Sequence, residues 1–422
     1  MKPDLLFISP AVPAPLGNGP AMRAHASIRV LAIHYRVHLL VANDPPRDAG
    51  QRRQLEDLCA EVAYRPLGLW PDRWACVRQR LTASSTFFRR LLLSQPREWN
   101  KAARLEIGNP FDVREFAVAH VFRFYLAPLL ETLGRSVAVH ARQLDVDDIE
   151  SLTRRRLAGL YRLAGHRFAA LEADVEAALY EKLESDWLPR FDRVFVSSSR
   201  DRELLLQRHA HPSPEVLPNT VEISRRVGDR ASSDTFRFLF VGTMSYYPNV
   251  DGVLFFCSEI LPLIRARASK PITVTIIGSG MSLALRETLS MFPEVQAAGF
   301  VEHLEQVYRD ADAVLVPIRA GGGTRIKVLE AFAHHCPVVS TSAGIEGIEV
   351  EEGTHALIAD TPEEFANACL RLIREPRLGR ELGQRAFELV SERYSDKALS
   401  AALIRTRSRA GVEENSLERR TS

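Results

Sequence analysis

Short apolar runs alternate along this chain with longer stretches in which apolar side chains recur at helical spacing. Leu5-Leu6-Phe7-Ile8 opens the series, and a run at 36–41 follows a helical stretch at 21–33. Further strands are predicted at 117–122, 136–140 and 192–197, and 148–186 is long, charged and helix-like. From residue 237 the alternation becomes regular. Strands fit 237–241, 272–277, 313–317 and 337–340, with a shorter one at 355–358. Helices fit 249–266, 282–291, 302–311, 324–334 and 362–374, and an amphipathic helix pair fits 379–407. Continuous apolar runs separated by helices indicate α/β architecture, with parallel strands covered on both faces. The polar stretch 222–236 reads as a linker between a domain at 1–222 and a domain at 223–379. The end, 408–422, is polar and expected to be disordered.

Doubly wound sheets bind ligands beyond the carboxyl ends of their strands. In the second half those ends carry Gly242-Thr243, Gly278-Ser279-Gly280, Gly299-Phe300-Val301-Glu302 and Gly321-Gly322-Gly323. In the first half the matching turn is Gly17-Asn18-Gly19. The most informative of these continues as Gly321-Gly322-Gly323-Thr324-Arg325-Ile326-Lys327-Val328-Leu329-Glu330, between two buried strands. Glycines let the backbone approach a ligand closely, and a helix start presents free N–H groups and a positive dipole end. Arg325 and Lys327 add full positive charge there. Glu330, three residues past Lys327, shares its helix face and suits ribose hydroxyls. The implied ligand is a nucleoside-diphosphate sugar.

Composition changes this picture little. The chain has 55 basic and 53 acidic residues, which argues against a nucleic-acid partner. Only six of the basic residues are lysines, and Lys327 is one of them. Five cysteines without close pairs indicate neither a disulfide framework nor a zinc site. No apolar run reaches the roughly 18–20 residues of a membrane-spanning helix, and the N-terminus reads as a strand, so a cytoplasmic protein is expected. The stretch 73–104 mixes arginines with bulky apolar residues, a pattern that suits either a solvated helix surface or the surface of an anionic membrane, the second being favoured for a lipid-linked acceptor.

The motif set resembles the retaining glycosyltransferases of the GT-B fold, family 4. Val314-Leu315-Val316-Pro317, the glycine turn, Lys327 with Leu329-Glu330-Ala331, and Pro337-Val338-Val339-Ser340 follow that family's order. So do Leu217-Pro218-Asn219, Phe240-Val241-Gly242, Gly299-Phe300-Val301 and Gly344-Ile345-Glu346-Gly347. The resemblance implies two Rossmann-like domains facing across a cleft, with a C-terminal helix at about 380–407 crossing back to the first. It implies transfer from a nucleotide-sugar donor to a glycan or lipid-linked acceptor in cell-surface polysaccharide or glycolipid synthesis. Arg325 and Lys327 would hold the diphosphate and stabilise its departure. Glu330 would bind ribose, and the backbone at Phe300 and Val301 would read the base. Gly17 and Gly19 would approach the pyrophosphate or acceptor, and Gly242, Gly278, Gly322, Gly323 and Thr324 would line the donor site. His120 opens the stretch that in the family reads His-x-His and ends on the histidine at the reaction centre, and it is the catalytic candidate that this chain offers there. Three positions depart from the pattern: Gly322 replaces a glutamate, Thr243 an arginine, and Phe122 the second histidine of a His-x-His stretch.

Asp145-Val146-Asp147 has the spacing with which glycosyltransferases of another fold hold Mn²⁺ or Mg²⁺. Acidic residues at a helix start are favoured in any case, and Arg325 with Lys327 supplies the neutralising charge. Neither a metal nor a cofactor is therefore expected. Arg123 is placed to close the cleft or to pair with Asp145. Three other classes compete. A sugar-nucleotide epimerase needs paired carboxylates at the sugar. A nicotinamide-dependent oxidoreductase needs a Gly-x-Gly-x-x-Gly turn that residues 8–20 lack. A non-catalytic sugar-nucleotide-binding subunit needs only the donor site.

Overall fold

The computed structural model describes residues 2–67, 95–105, 107–209, 214–223, 233–301 and 304–403. The chain forms two compact units. One runs to Pro218 and takes the chain again from Leu399, and the other is Asn219–Ala398.

The first unit is built on seven parallel strands: β1 (Asp4–Ser9), β2 (Arg36–Val41), β3 (Glu61–Tyr64), β4 (Glu115–Phe122), β5 (Ala138–Asp147), β6 (Arg193–Val196) and β7 (Glu215–Val216). Their order is β3-β2-β1-β4-β5-β6-β7. Leu6, Ile8, Ala119 and Val121 face one apolar layer, and Leu5, Phe7, Val118 and Phe122 the other. Alternate residues of one strand thus enter opposite cores, as burial on both faces requires. Leu399 and Leu403 join the second of these layers.

The second unit has six parallel strands: β8 (Phe236–Val241), β9 (Ile272–Ile277), β10 (Val295–Gly299), β11 (Ala313–Val316), β12 (Val338–Ser340) and β13 (Leu357–Ile358). Their order is β10-β9-β8-β11-β12-β13, so the winding direction reverses between β8 and β11. Those two strands pair only at Phe238↔Ala313 and Leu239↔Val314, and beyond that the ladder stops. This reversal opens a crevice at the carboxyl edge, where doubly wound sheets take ligands. The helix Tyr247–Phe255 follows β8 and runs through a π-helical turn, Phe256–Ile260, into the helix Leu261–Arg267.

The predicted regular elements of the second half are all present. Strands β3, β7 and β10 were outside the predicted set. They are short edge or near-edge strands, and β10 (Val-Gln-Ala-Ala-Gly) is half-exposed with one β-branched residue, so its pattern carries little signal. The stretch 148–186 is a hairpin of two helices, Glu150–Leu163 and Arg167–Trp187, reversed at Gly165 with φ +77°. The predicted pair at 379–407 resolves into the helix Pro376–Arg393, part of the second unit, and a helical stretch over 396–403 that carries Leu399 and Leu403.

Of the basic, apolar stretch 73–104, residues 73–94 lie outside the described residues. The helix Arg97–Arg104 within it buries Trp99 and Ala102 in the first unit's core, and Trp99 packs on Phe124 and Trp187. The apolar face of that helix is therefore occupied by protein. Among the described residues no helix is long and apolar enough to cross a membrane.

Candidate donor site at the carboxyl edge of the second sheet

The turn after β11 brings the site together. Gly321 and Gly323 adopt φ +136° and +64°, backbone that a side chain would strain. A Cβ on Gly321 would also meet the Arg325 guanidinium at 2.7 Å and the Tyr246 hydroxyl at 2.9 Å. The glycine thus lets the turn fold under the arginine. Arg325 precedes the helix Ile326–Ala333, which has no side-chain cap. Its guanidinium donates to the carbonyl of Gly322 and, at 3.4 Å, to that of Ala343. Arg325 Nε and the Thr324 hydroxyl are buried without a hydrogen-bond partner. Buried polar groups are almost always paired, so two orphans at one glycine turn mark a place for a ligand or water.

Lys327 lies in the crevice between β8 and β11. Its Nζ donates to Asn249 Oδ1 at 2.7 Å and sits 4.4 Å from the Phe240 ring centroid. Asn249 in turn donates to the Thr243 carbonyl at 2.8 Å. A Cβ on Gly242 would lie 2.7 Å from Lys327 Nζ and 2.9 Å from the Asn249 amide. The residue after β8 is therefore glycine because the ammonium and the amide need its space. Packing against neighbours, aided by the Arg325 cation, pushes the Lys327 pKa down to about 7. An anion bound here would reverse that shift.

Glu330 is half-buried, and burial lifts its pKa to about 7 against the opposing pull of Tyr308 and Lys327. The Tyr308 hydroxyl donates to Glu330 Oε2 at 2.9 Å, and the tyrosine ring stacks on His334 at 4.9 Å. On the other side of β8, Gly278 N donates to Gly299 O at 2.8 Å, and Gly242 N to Ile277 O at 2.9 Å. The ends of β8, β9 and β10 are thereby drawn level. Phe300 follows, 73% exposed, and Val301 packs against the core. Gly242, Gly278, Phe300, Val301, Gly322, Gly323, Thr324, Arg325, Lys327 and Glu330 thus share one sheet edge. Asn249 and Tyr308 escaped the sequence reading. Asn249 lies 78 residues from the lysine it holds, a separation that no local periodicity reports.

The first unit is different. His120 has no exposed surface; it sits in β4 stacked between Phe7 at 4.9 Å and Phe195 at 5.9 Å, with Nδ1 3.2 Å from Gln143 Oε1. Burial holds its pKa below the usual range. Phe122 is buried as well. Gly17, with φ +132°, has open space around it, and Gly19 begins the helix Gly19–His34, capped by Asn18. Asp145 is taken by Arg23 at 2.7 Å and 2.8 Å, so Arg123 does not pair with it. Arg123 instead meets Asp148 at 2.6 Å and Asp147 at 3.3 Å. The Asp-x-Asp oxygens are thus engaged by arginine. Among the described residues no cluster of His, Cys, Asp or Glu has the arrangement of a metal site.

Residues 235–375 match the family model of glycosyl transferases group 1. A Klebsiella pneumoniae protein described as an uncharacterized 44.6 kDa protein in the cps region is 20% identical over 421 residues, 95% of this chain and 99% of that one. Sucrose-phosphate synthase from Thermosynechococcus elongatus superposes with a TM-score of 0.67 at 13% identity, covering 98% of this chain and 100% of the other. HepE of Anabaena, solved with UDP-glucose, gives 0.62 at 14% identity, with coverage of 96% and 99%. TarM, an S. aureus protein, gives 0.65 at 9% identity, with coverage of 96% and 98%. The architecture is the GT-B glycosyltransferase fold, and the segment that matches group 1 glycosyl transferases holds every residue of the glycine-turn site.

Proposed function

We propose that this protein is a glycosyltransferase that takes a sugar from a nucleoside-diphosphate donor and retains its anomeric configuration. One observation carries the reading. At the crevice between β8 and β11, a glycine turn gathers Arg325, Lys327 and the orphaned Thr324 hydroxyl, and the cations' hydrogen-bond partners are all neutral. That arrangement suits a diphosphate. Arg325 and Lys327 neutralise the charge that develops as the nucleoside diphosphate leaves, and preorganised charge of this kind is usually the largest catalytic term. The acceptor hydroxyl attacks the anomeric carbon from the face the diphosphate leaves, and a phosphate oxygen takes its proton. Glu330, held by Tyr308, accepts from the ribose hydroxyls, and the backbone at Phe300–Val301 meets the base. With two cations at the diphosphate, no divalent ion is needed.

The cps-region relative supports a glycan or lipid-linked acceptor in cell-surface polysaccharide synthesis. The UDP-glucose complex of HepE supports a uridine nucleotide as the first donor to test. A panel of nucleotide sugars, assayed for binding by calorimetry and for transfer by NMR of the product anomer, tests the reading. Binding of a nucleoside diphosphate and an unchanged anomer are expected. Absence of any nucleotide binding would remove the donor-site assignment. Gly322, where the family places a glutamate, favours a second reading as a sugar-nucleotide-binding subunit without turnover. Tight donor binding with neither transfer nor donor hydrolysis would establish it.

A further inference from the structure

One helix grips the segment that carries the glycine turn at both of its ends. At the far end Lys327 is held by Asn249. At the near end Arg319, two residues before Gly321, makes a bidentate ion pair with Asp251: Nε to Oδ2 at 2.9 Å and Nη2 to Oδ1 at 2.7 Å. Asn249 and Asp251 are both buried, on the helix Tyr247–Phe255. Just before the near grip the backbone touches the helix directly. A Cβ on Gly252 would lie 2.8 Å from the Pro317 carbonyl. The Thr341 hydroxyl donates to the next carbonyl, that of Ile318. The Arg319 guanidinium lies 4.5 Å from the Phe255 ring centroid, which adds a second constraint on its plane.

Asp251 is buried but Arg319 is exposed, so solvent screens the pair and it is weak evidence for stability. A bidentate guanidinium–carboxylate fork does fix distance and angle. This one joins a helix to a loop, two residues from the turn whose amides and orphan hydroxyl would meet a ligand.

We infer that the Asp251–Arg319 pair is a positioning device for anion binding: it sets the glycine turn against the helix so that Thr324, Arg325 and Lys327 converge on one diphosphate. Neither member of the pair touches the ligand. The inference rests on the turn being the diphosphate site, and it predicts a loss specific to phosphate.

The unaltered full-length protein is first titrated calorimetrically with UDP, GDP, ADP and dTDP. The tightest of these is then measured against Asp251→Asn and Arg319→Lys, with the matching nucleoside as control. Asp251→Asn keeps the shape and removes the charge. Arg319→Lys keeps the charge and removes the fork. In each variant the diphosphate affinity should fall about tenfold or more, the scale of one charged hydrogen bond to phosphate. Affinity for the bare nucleoside and the melting temperature should stay close to the parent values. The double variant should lose no more than the worse single one, because both remove the same contact. Arg319→Gln serves as a further test of the loop side should Asp251→Asn fail to fold. Unchanged diphosphate affinity in the folded variants, or equal losses for diphosphate and nucleoside, would overturn the inference while leaving the donor site standing. If the unaltered protein binds none of the four nucleotides, the donor-site reading falls and this inference falls with it.

Discussion

Both sheets carry arginines at the carboxyl edge, and the two edges answer the same charge in opposite ways. In the first unit Arg23 is buried against Asp145 and lies 3.6 Å from Asp147, and Arg123 reaches Asp147, Asp148 and, at 3.7 Å, Glu150. The pair is anchored by unusual backbone, φ +77° at Arg123 and +57° at Asp147. In the second unit Arg325 donates to backbone carbonyls and Lys327 to an amide. The nearest carboxylate in its helix, Glu330, accepts from Tyr308. One edge is compensated by carboxylates within the protein, and the other holds its cations against neutral acceptors. The lesson is that an arginine at a sheet edge becomes a binding group through the partners it lacks. Residue type and position are shared by both edges and do not separate them.

The largest test of this contrast is stability. Removing one member of a buried pair leaves the other charge unmatched, at a cost of about 3–5 kcal/mol. Asp145→Ala should therefore lower the denaturation midpoint strongly, whereas Lys327→Ala, which removes a half-buried cation, should lower it little or raise it. The reverse order in a urea titration would break the comparison. Next in size is affinity. Arg325→Ala and Lys327→Ala should each weaken nucleoside-diphosphate binding by about 10- to 150-fold, corresponding to roughly 1.5–3 kcal/mol per charged contact. Arg123→Ala should leave that affinity alone. Calorimetry on the three variants decides whether the charge is local to the second sheet.

The pH dependence is a smaller effect with a definite sign. The Lys327 pKa is near 7 in the free site, and a bound diphosphate stabilises its charged form. Binding near pH 7.5 should then take up protons, and affinity should fall as pH rises from 7 to 9. Calorimetry in buffers of different ionisation enthalpy reads the uptake directly, and Lys327→Met should abolish it. Linkage gives the stability side. Lys327 has a folded pKa below its unfolded value of 10.5, so the unfolded chain binds more protons between about pH 7 and 10.5, and this group's contribution to stability rises across that window. Glu330 runs the other way. Its pKa is lifted from 4.5 to about 7, so its stabilising contribution is complete below 4.5 and is lost as pH rises through 7. The Glu330→Gln and Lys327→Met variants should each flatten one limb. The smallest expected effect is that of metal removal. Arginines already engage Asp145 and Asp147, so transfer activity should survive excess chelator within about a factor of two, a change of under 0.5 kcal/mol. Activity lost to chelator and restored by Mn²⁺ would show that the first edge also serves a ligand.

Much of the candidate site is legible in the sequence. The glycine turn, Arg325, Lys327 and Glu330 stand within ten residues of one another, and a strand–turn–helix junction with cations at its start is a local signal. The first edge was not legible in the same way. His120 and the pair Asp145/Asp147 look equally suggestive in a string of letters. Burial of His120 between Phe7 and Phe195, and capture of Asp145 by Arg23 across 122 residues, depend on how strands stack side by side.

Sequence by itself determined the α/β alternation of the second half, the parallel character of the sheets and the strand–glycine-turn–helix junction. Each of these follows from periodicity or from conformational limits that act within a few residues. Tertiary structure alone decided which charges are already matched. Asn249 reaches Lys327 across 78 residues and Asp251 reaches Arg319 across 68. The reversal of winding between β8 and β11 creates the crevice in which the lysine sits. Electrostatic compensation is a property of distance in space, and a chain folds distant residues together without marking them in its local pattern.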